Sequence, residues 1–306
     1  VALIQIRTIA INMFEQGLLF CFLGFGVLMT FQFFRFPDLT AEGSYPLGGA
    51  VVGTLLVLGV NPFVSTGVAV LAGVLLGVGS ALIHTKLKIN AIIAGIIAMT
   101  ANYSIMLRVM GKSNIPLLRI DTVFELVRAP VEAALGRSFS PVENSIATIV
   151  FLVVIVAIVS LIFWWFLSTD LGLAIRATGE NEEMARSLGV NTDTTKIMGV
   201  GFSNGLIAFS GALVAQNHGF ADVGMGMGVL VAGAAAVLIG KSVFGDKTVG
   251  LWLIACVVGM LIYRLLVALA LRVGLRPTDL KLVTAILLLL ALFLPKWRPS
   301  FGKRRG

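Results

Sequence analysis

Two sets of residues in this 306-residue chain have side chains that a merely greasy helix would not carry. The first set is polar and lies within or between long apolar runs. It comprises Asp38, Thr40, Glu42 and Ser44 in FRFPDLTAEGSYPLGGAV, Thr100, Asn102, Tyr103 and Ser104 in AGIIAMTANYSIMLRVMG, and Ser203, Asn204 and Ser210 in GVGFSNGLIAFSG. Inside lipid such groups must find partners, and an interhelical hydrogen bond is worth about 1 kcal/mol in model systems. They either tie helices together or touch a polar solute in transit, and for Asn102 and Asn204 the sequence leaves both roles open. The second set is the charged run RATGENEEMARSLGVN, Arg176 to Asn191, placed directly between two apolar stretches.

Covalent and metal chemistry have no such foothold. His84 and His218 are isolated and fall on opposite faces of the expected topology, so no metal site is expected. Cys21 and Cys256 lie in separate apolar runs and read as small packing residues. AGAAAVLIGKS, Ala232 to Ser242, resembles a phosphate-binding loop, but that loop needs glycine where Ala235 stands. No catalytic residue and no cofactor bound by this chain are expected.

The charged run carries its own start and stop signals. Gly179 is expected to interrupt the structure before it. Asn181 suits an N-cap, and Glu182 and Glu183 occupy a first turn that favours acids. Arg186 falls in the last turn and Gly189 suits the position after it. The product is a two-turn helix, Glu182 to Leu188, too short to be stable alone in water. Met184 and Leu188, four apart, form an apolar pair that needs a place to dock. A lipid-surface helix favours a basic polar face, whereas this one has two acids and one arginine, so a protein groove suits it better.

Composition says what must hold these residues in place. The chain is 58% hydrophobic and 12% charged, against about 25% charged in soluble domains, which makes it a polytopic membrane protein. The net charge of +8 belongs to short loops and the tail KWRPSFGKRRG, which speaks for membrane topology and against nucleic acid. Apolar runs of spanning length fall at about 8–30, 62–83, 89–110, 145–167, 196–215, 224–240, 249–271 and 279–295, with a shorter one at 47–60. The expected fold is therefore all-α, with about 8–10 transmembrane helices in one domain over 1–306. The start, VALIQIRTIAINMF, shows no basic n-region or cleavage site, so no signal peptide is expected.

Placing Lys296, Arg298, Lys303, Arg304 and Arg305 in the cytoplasm puts 84–88, the loop 170–195 and 241–248 inside, and the loop 111–144 outside. Thirteen basic residues then lie inside and seven outside, although Arg272, Arg276 and Lys281 sit on the less favoured side. IPLLRIDTVFELVRAPVEAALG in the outer loop has the pattern of a short amphipathic surface helix. Glycine pairs Gly49/Gly53, Gly73/Gly77, Gly201/Gly205 and Gly224/Gly228 have helix-packing spacing. Glu15, Arg108 and Arg264 fall toward span ends, where snorkelling to the interface is expected.

One span is broken. Pro37 and Pro46 bracket a segment that is not expected to be continuous helix. It is either a plain loop or a re-entrant break with 47–60 as a half-helix, and unwound backbone at membrane depth must line a cavity or be buried in protein.

LAIRATGENEEMARSLGVNTDTTKIMGVGFSNGLIAFSGALVAQ resembles the cytoplasmic loop and following span of permease subunits of bacterial ABC importers, the group serving branched-chain amino acids, ribose and related solutes. GLLFCFLGFGVLMTFQFFRFPDLTAEGS, HTKLKINAIIAGIIAMTANYSIMLRVMGKSNIPLL and FADVGMGMGVLVAGAAAVLIGKSVFG are similar to a less characterised branch of it. The resemblance covers nearly the whole chain. It implies a coupling helix contacting a separate ATP-binding-cassette subunit through Gly179, Asn181, Glu182, Glu183, Met184, Ala185, Arg186 and Leu188. It further implies ATP and Mg on that partner, a second permease subunit in a homodimer, an extracytoplasmic solute-binding protein, and a multi-pass location in the bacterial inner membrane. Amino-acid-like cargo is expected on the same ground.

Two other classes remain on the residues alone. An ion-coupled secondary transporter acting without an ATPase would need an intramembrane carboxylate, and only Asp38 and Glu42 qualify. An intramembrane enzyme would need a Ser/His or metal constellation, and none is visible.

Overall fold

Helix starts are written locally. Asn61 Oδ1 accepts from the Phe63 amide at 3.0 Å ahead of Pro62, and Asn90 Oδ1 accepts from the Ile92 amide at 2.9 Å. Ser140 and Glu143 form a reciprocal capping box around Pro141. Gly111, Gly136 and Gly219 end their helices in the left-handed conformation that glycine adopts without strain.

In the computed structural model these signals resolve into a helical bundle, described for residues 2–34, 38–245, 248–276 and 279–293. Arg35, Pro37, Lys247 and the basic tail 296–306 lie outside the described residues. Helix α1 (Ala2–Leu28) continues into a π turn, Met29–Phe33. Then come α2 (Ala41–Val57), α3 (Pro62–Leu87), α4 (Ala91–Met110), strand β1 (Asn114–Pro116), α5 (Val123–Leu135) and α6 (Pro141–Ser168). The short α7 (Asp170–Glu180) and α8 (Glu182–Ser187) precede α9 (Thr192–His218) and strand β2 (Phe220–Asp222). Helices α10 (Val229–Phe244), α11 (Val249–Arg272) and α12 (Leu280–Phe293) complete the chain. Among the described residues six helices are long and apolar enough to cross a membrane, and α10 and α12 are shorter apolar ones. This is an all-α polytopic membrane protein.

Helix α9 is the axis of the bundle. Its largest interfaces are with α3 and α2, and α1 packs on it as well. Glycines make the close approach possible. A side chain on Gly48 would occupy the carbonyl of Ala208, and one on Gly211 would occupy the carbonyl of Tyr45. Gly73 and Gly77 of α3 face the carbonyls of Asn204 and Val200 at 2.6 Å from where a Cβ would stand. Gly201 and Gly205 in turn receive Val78 and Val74. Between α1, α6, α9 and α11 lies an aromatic core in which Phe22, Phe25, Phe33, Phe163, Phe202 and Trp252 meet at centroid distances of 4.5–6.5 Å in a chain of ring pairs with Phe166 and Phe209.

Polar residues gather in two layers at opposite ends of α9. At one end Lys196 Nζ donates to both Glu182 oxygens at 2.8 Å and lies 3.5 Å from His84 Nε2, while Lys86 and Asp193 approach to 3.8 Å. At the other, Asn217 donates to Glu15, His218 pairs with Gln16, and β1 pairs antiparallel with β2 (Ile115 opposite Ala221). Gln216 bridges the Thr66 hydroxyl and the Val123 amide there. Lys196 and His218 are roughly 33 Å apart along the helix, the thickness of a hydrocarbon core.

Four expectations need correction. The segment to Pro46 is not wholly unwound: α2 starts at Ala41 and runs through Pro46, so the half-helix spans 41–57 rather than 47–60. Proline removes a donor near the helix start, and the Gly226 backbone packs against the freed Glu42 carbonyl. The run 224–240 becomes helix only from Val229, because residues up to Gly228, with φ +80°, form turns, so Gly224/Gly228 is not a helix-packing pair. Gly179 lies within α7, which runs to Glu180, and its missing side chain admits the Phe33 carbonyl, which a Cβ would meet. Arg264 does not snorkel: its guanidinium rests over the Phe20 ring, 3.5 Å from the centroid. Glu15 also has a partner within the chain, Asn217.

Candidate functional site

The break after α1 begins with a π turn in which the Phe34 amide reaches back to the Met29 carbonyl at 3.1 Å. Asp38, 1% exposed, accepts from the Thr40 amide at 2.9 Å through Oδ1 and from Asn204 Nδ2 at 2.7 Å through Oδ2. Ser44 Oγ donates to Asn204 Oδ1 at 2.6 Å, and Thr40 Oγ1 donates to Ser80 Oγ at 2.7 Å. Asn204 stands roughly 12 Å along α9 from Lys196, so the break reaches well below the polar layer at that end. Every described polar atom of this pin has a partner, as burial away from water requires. Four expected path residues, Asp38, Thr40, Ser44 and Asn204, therefore form one connected group.

The others are placed separately. Ser203 Oγ donates to the Gly26 carbonyl at 2.8 Å and joins α9 to α1. Asn102 Nδ2 donates to the Gly43 carbonyl at 2.9 Å, joining α4 to α2, while its Oδ1 is buried without a partner. Thr100 bonds its own helix at Ile96, and Tyr103 is 49% exposed, so neither faces the group around Asn204. Glu42 turns the other way and accepts from the Gly228 amide at 3.1 Å.

At the α8 end, Asn181 Oδ1 accepts from the Met184 amide at 3.0 Å, as an N-cap should. The helix ends at Ser187, one residue before Leu188, and Gly189 takes φ +86°. Ala185 is buried and anchors the turn. Met184 and Leu188 are 60% and 73% exposed and stand on the free side. Glu182 binds Lys196 on α9 and Arg186 on its own helix at 3.2 Å. Burial would raise the Glu182 carboxyl, but the hydrogen bond and charge of Lys196, with Thr192 and Arg186, outweigh it and hold the group below its ordinary value. Beside α8 a cleft of about 570 Å³ is lined by His84, Lys88, Glu182, Arg186, Asp193 and Lys196.

Sequence reasoning did not single out Ser80, Gln216 or Lys196, which complete these networks. Ser80 and Gln216 are isolated polar residues in apolar spans, and that isolation was the available signal. Lys196 counted only as a topology charge, because its partner Glu182 lies fourteen residues away on another helix.

The chain matches the model of the branched-chain amino acid transport system permease component over residues 9–293. It is similar to the tyrosine transport system permease protein of Clostridioides difficile (strain R20291), with 38% identity over 91% of this chain and 88% of the relative. An uncharacterized protein of Rickettsia prowazekii (strain Madrid E) shares 30% identity over 93% of this chain and 96% of its own length. The ribose import permease protein of Haemophilus influenzae shares 29% identity over 73% of this chain and 67% of its own length. No solved structure matches. With its apolar spans, the match makes this a multi-pass inner-membrane protein, and the chain belongs to the permease component family of branched-chain amino acid transport systems.

Proposed function

We propose that the chain is the permease subunit of an ATP-binding-cassette importer for a small amino-acid-type solute, driven by a separate ATPase subunit that holds ATP and Mg²⁺. The observation that carries this reading is α8: a capped, anchored helix with Met184 and Leu188 side by side and exposed on the free side of the bundle end. The Glu182–Lys196 bond fastens it to α9, so a push on α8 is delivered to the bundle axis. A groove on the ATPase that takes the Met184/Leu188 pair would bury apolar surface at about 25 cal/mol per Å². A second permease subunit, in a homodimer, and an extracytoplasmic solute-binding protein complete the assembly in this proposal. Amino-acid cargo rests on the tyrosine permease relative.

The test is Glu183→Lys together with Met184→Asp, read by ATPase co-purification and by uptake in cells. Loss of both is expected. Uptake that persists after the ATPase no longer associates refutes the reading and favours a secondary transporter.

A further inference from the structure

Apart from the pin at Asn204 and from α8, a cavity beside α11 holds charge at membrane depth. Arg264 stands roughly 22 Å along α11 from Val249, within a membrane-length apolar helix. An ionised side chain at such depth normally faces the bundle interior or a polar path and finds a partner. Arg264 lies over Phe20, whose ring is 5.7 Å from that of Tyr45, yet its Nε is buried with no hydrogen-bond partner. A buried donor left unmade carries its full desolvation cost, which a ligand acceptor would remove.

Arg264, Phe20, Tyr263, Lys281 and Thr284 line a mostly apolar cavity of about 310 Å³. That volume is at the low end of small-molecule sites, roughly 300–1,000 Å³. Tyr263 and Thr284 satisfy each other at 2.8 Å and close one wall. Gly228 lines the same cavity, and its amide donates to Glu42, which also feels the charge of Lys281. Two cations and a largely apolar wall thus surround one small space, with Glu42 bound to the backbone of that wall at Gly228.

We propose that this cavity is a binding site for an α-amino acid with an aromatic or apolar side chain. Arg264 and Lys281 take the carboxylate, and the apolar wall of Phe20, Val229, Ala232 and Leu280 takes the side chain. A guanidinium suits a carboxylate because its N–H groups form a planar fork matching the two oxygens. The apolar lining and Glu42 disfavour an inorganic polyanion. The proposal rests on the amino-acid cargo reading and adds the residues that recognise the cargo.

The test uses the complex assembled in nanodiscs. Equilibrium binding of radiolabelled L-tyrosine and L-leucine is compared with that of tyramine, which lacks the carboxylate. Wild type is expected to bind an amino acid and not tyramine. Arg264→Gln is expected to weaken binding by roughly ten-fold or more, the size of one lost charge-assisted bond, and Arg264→Lys to restore part of it. Lys281→Gln, at an exposed position, is expected to weaken binding several-fold and serves if the Arg264 variant does not assemble. Equal affinity in wild type and these variants, no discrimination against tyramine, or no binding of either amino acid overturns the proposal. None of these results touches the importer reading, which stands or falls on ATPase association and ATP dependence of uptake.

Discussion

Asn204→Leu removes the centre of the pin while keeping a side chain that branches at Cγ. Three hydrogen bonds go: Nδ2 to Asp38 Oδ2 at 2.7 Å, Nδ2 to the Val200 carbonyl at 2.9 Å, and Oδ1 from Ser44 Oγ at 2.6 Å. The second costs little, because Val200 keeps its bond within α9. Losing the bond to a carboxylate costs about 1.5–3 kcal/mol, and leaving the Ser44 hydroxyl orphaned costs about 1–3 kcal/mol. Interhelical bonds in membranes average less, about 0.6 kcal/mol, when the groups can find new partners. Asp38 is 1% exposed and Ser44 0%, so water cannot replace Asn204, and the larger values apply. The expected destabilisation is about 3–4 kcal/mol. It is read from reversible unfolding in mixed bicelles, with the same substitution repeated in an Asp38→Asn background. There the loss is expected to fall to about half, because the carboxyl partner is gone. A loss below about 1 kcal/mol in the native background, or equal losses in both, would falsify the argument that the break is fixed to α9 by this residue.

Two further outcomes follow from contacts described above. Gly211→Val places a side chain on the Tyr45 carbonyl and is expected to abolish folded protein in size-exclusion profiles, whereas Gly67→Ala, with nothing within 4 Å, is expected to match or slightly exceed wild-type stability; a normal Gly211→Val profile refutes the close-approach reading. Glu182 is lowered in the folded protein, so its contribution is fully present above its unfolded value, near 4.3, and is lost as pH falls through the folded one. Hydrogen-exchange protection at the α8–α9 junction, corrected for intrinsic rate, is expected to hold from pH 7 to about 5 and drop below that. Glu182→Gln is expected to lower it at neutral pH and remove the acid step, and a step of unchanged size in that variant shows that another group is responsible.

Much of the architecture was readable because its signals are local. Asn181 capping Met184, Glu143 returning to Ser140, and the amphipathic α5 each depend on residues within a few positions of one another. The membrane runs were readable because lipid demands length and apolarity whatever the neighbours are. What escaped depends on contacts across the fold. Pro46 reads as a helix breaker, but nothing local says that the Gly226 backbone will pack at the carbonyl it frees. Gly179 reads as an interruption, yet it is an approach point for Phe33. Arg264 reads as a snorkelling residue, because the aromatic ring beneath it comes from a helix 244 positions away in sequence. Asn204 was flagged from its type alone, and only the fold supplied Asp38 and Ser44 as its partners.

The glycine approaches also divide the bundle mechanically. Where backbone rests on carbonyl, as at Gly48, Gly211, Gly73 and Gly77, helices cannot slide without collision, so α2, α3 and α9 move as one solid piece. Gly26 against the Ser203 carbonyl adds α1 to that piece. A second piece is α10 with α11, where Gly240 and Gly259 meet the carbonyls of Ala255 and Ala236. The seam between the two pieces is of another kind. Along it Gly17 and Gly24 meet the side chains of Leu261, Cys256 and Met260, which can change rotamer and let helices shear. The turn at Gly226, seated on Glu42 and Pro46, keeps the pieces joined at one point. A body with one fixed joint and one compliant seam rocks rather than stretches, and the cavity at Arg264 lies along that seam.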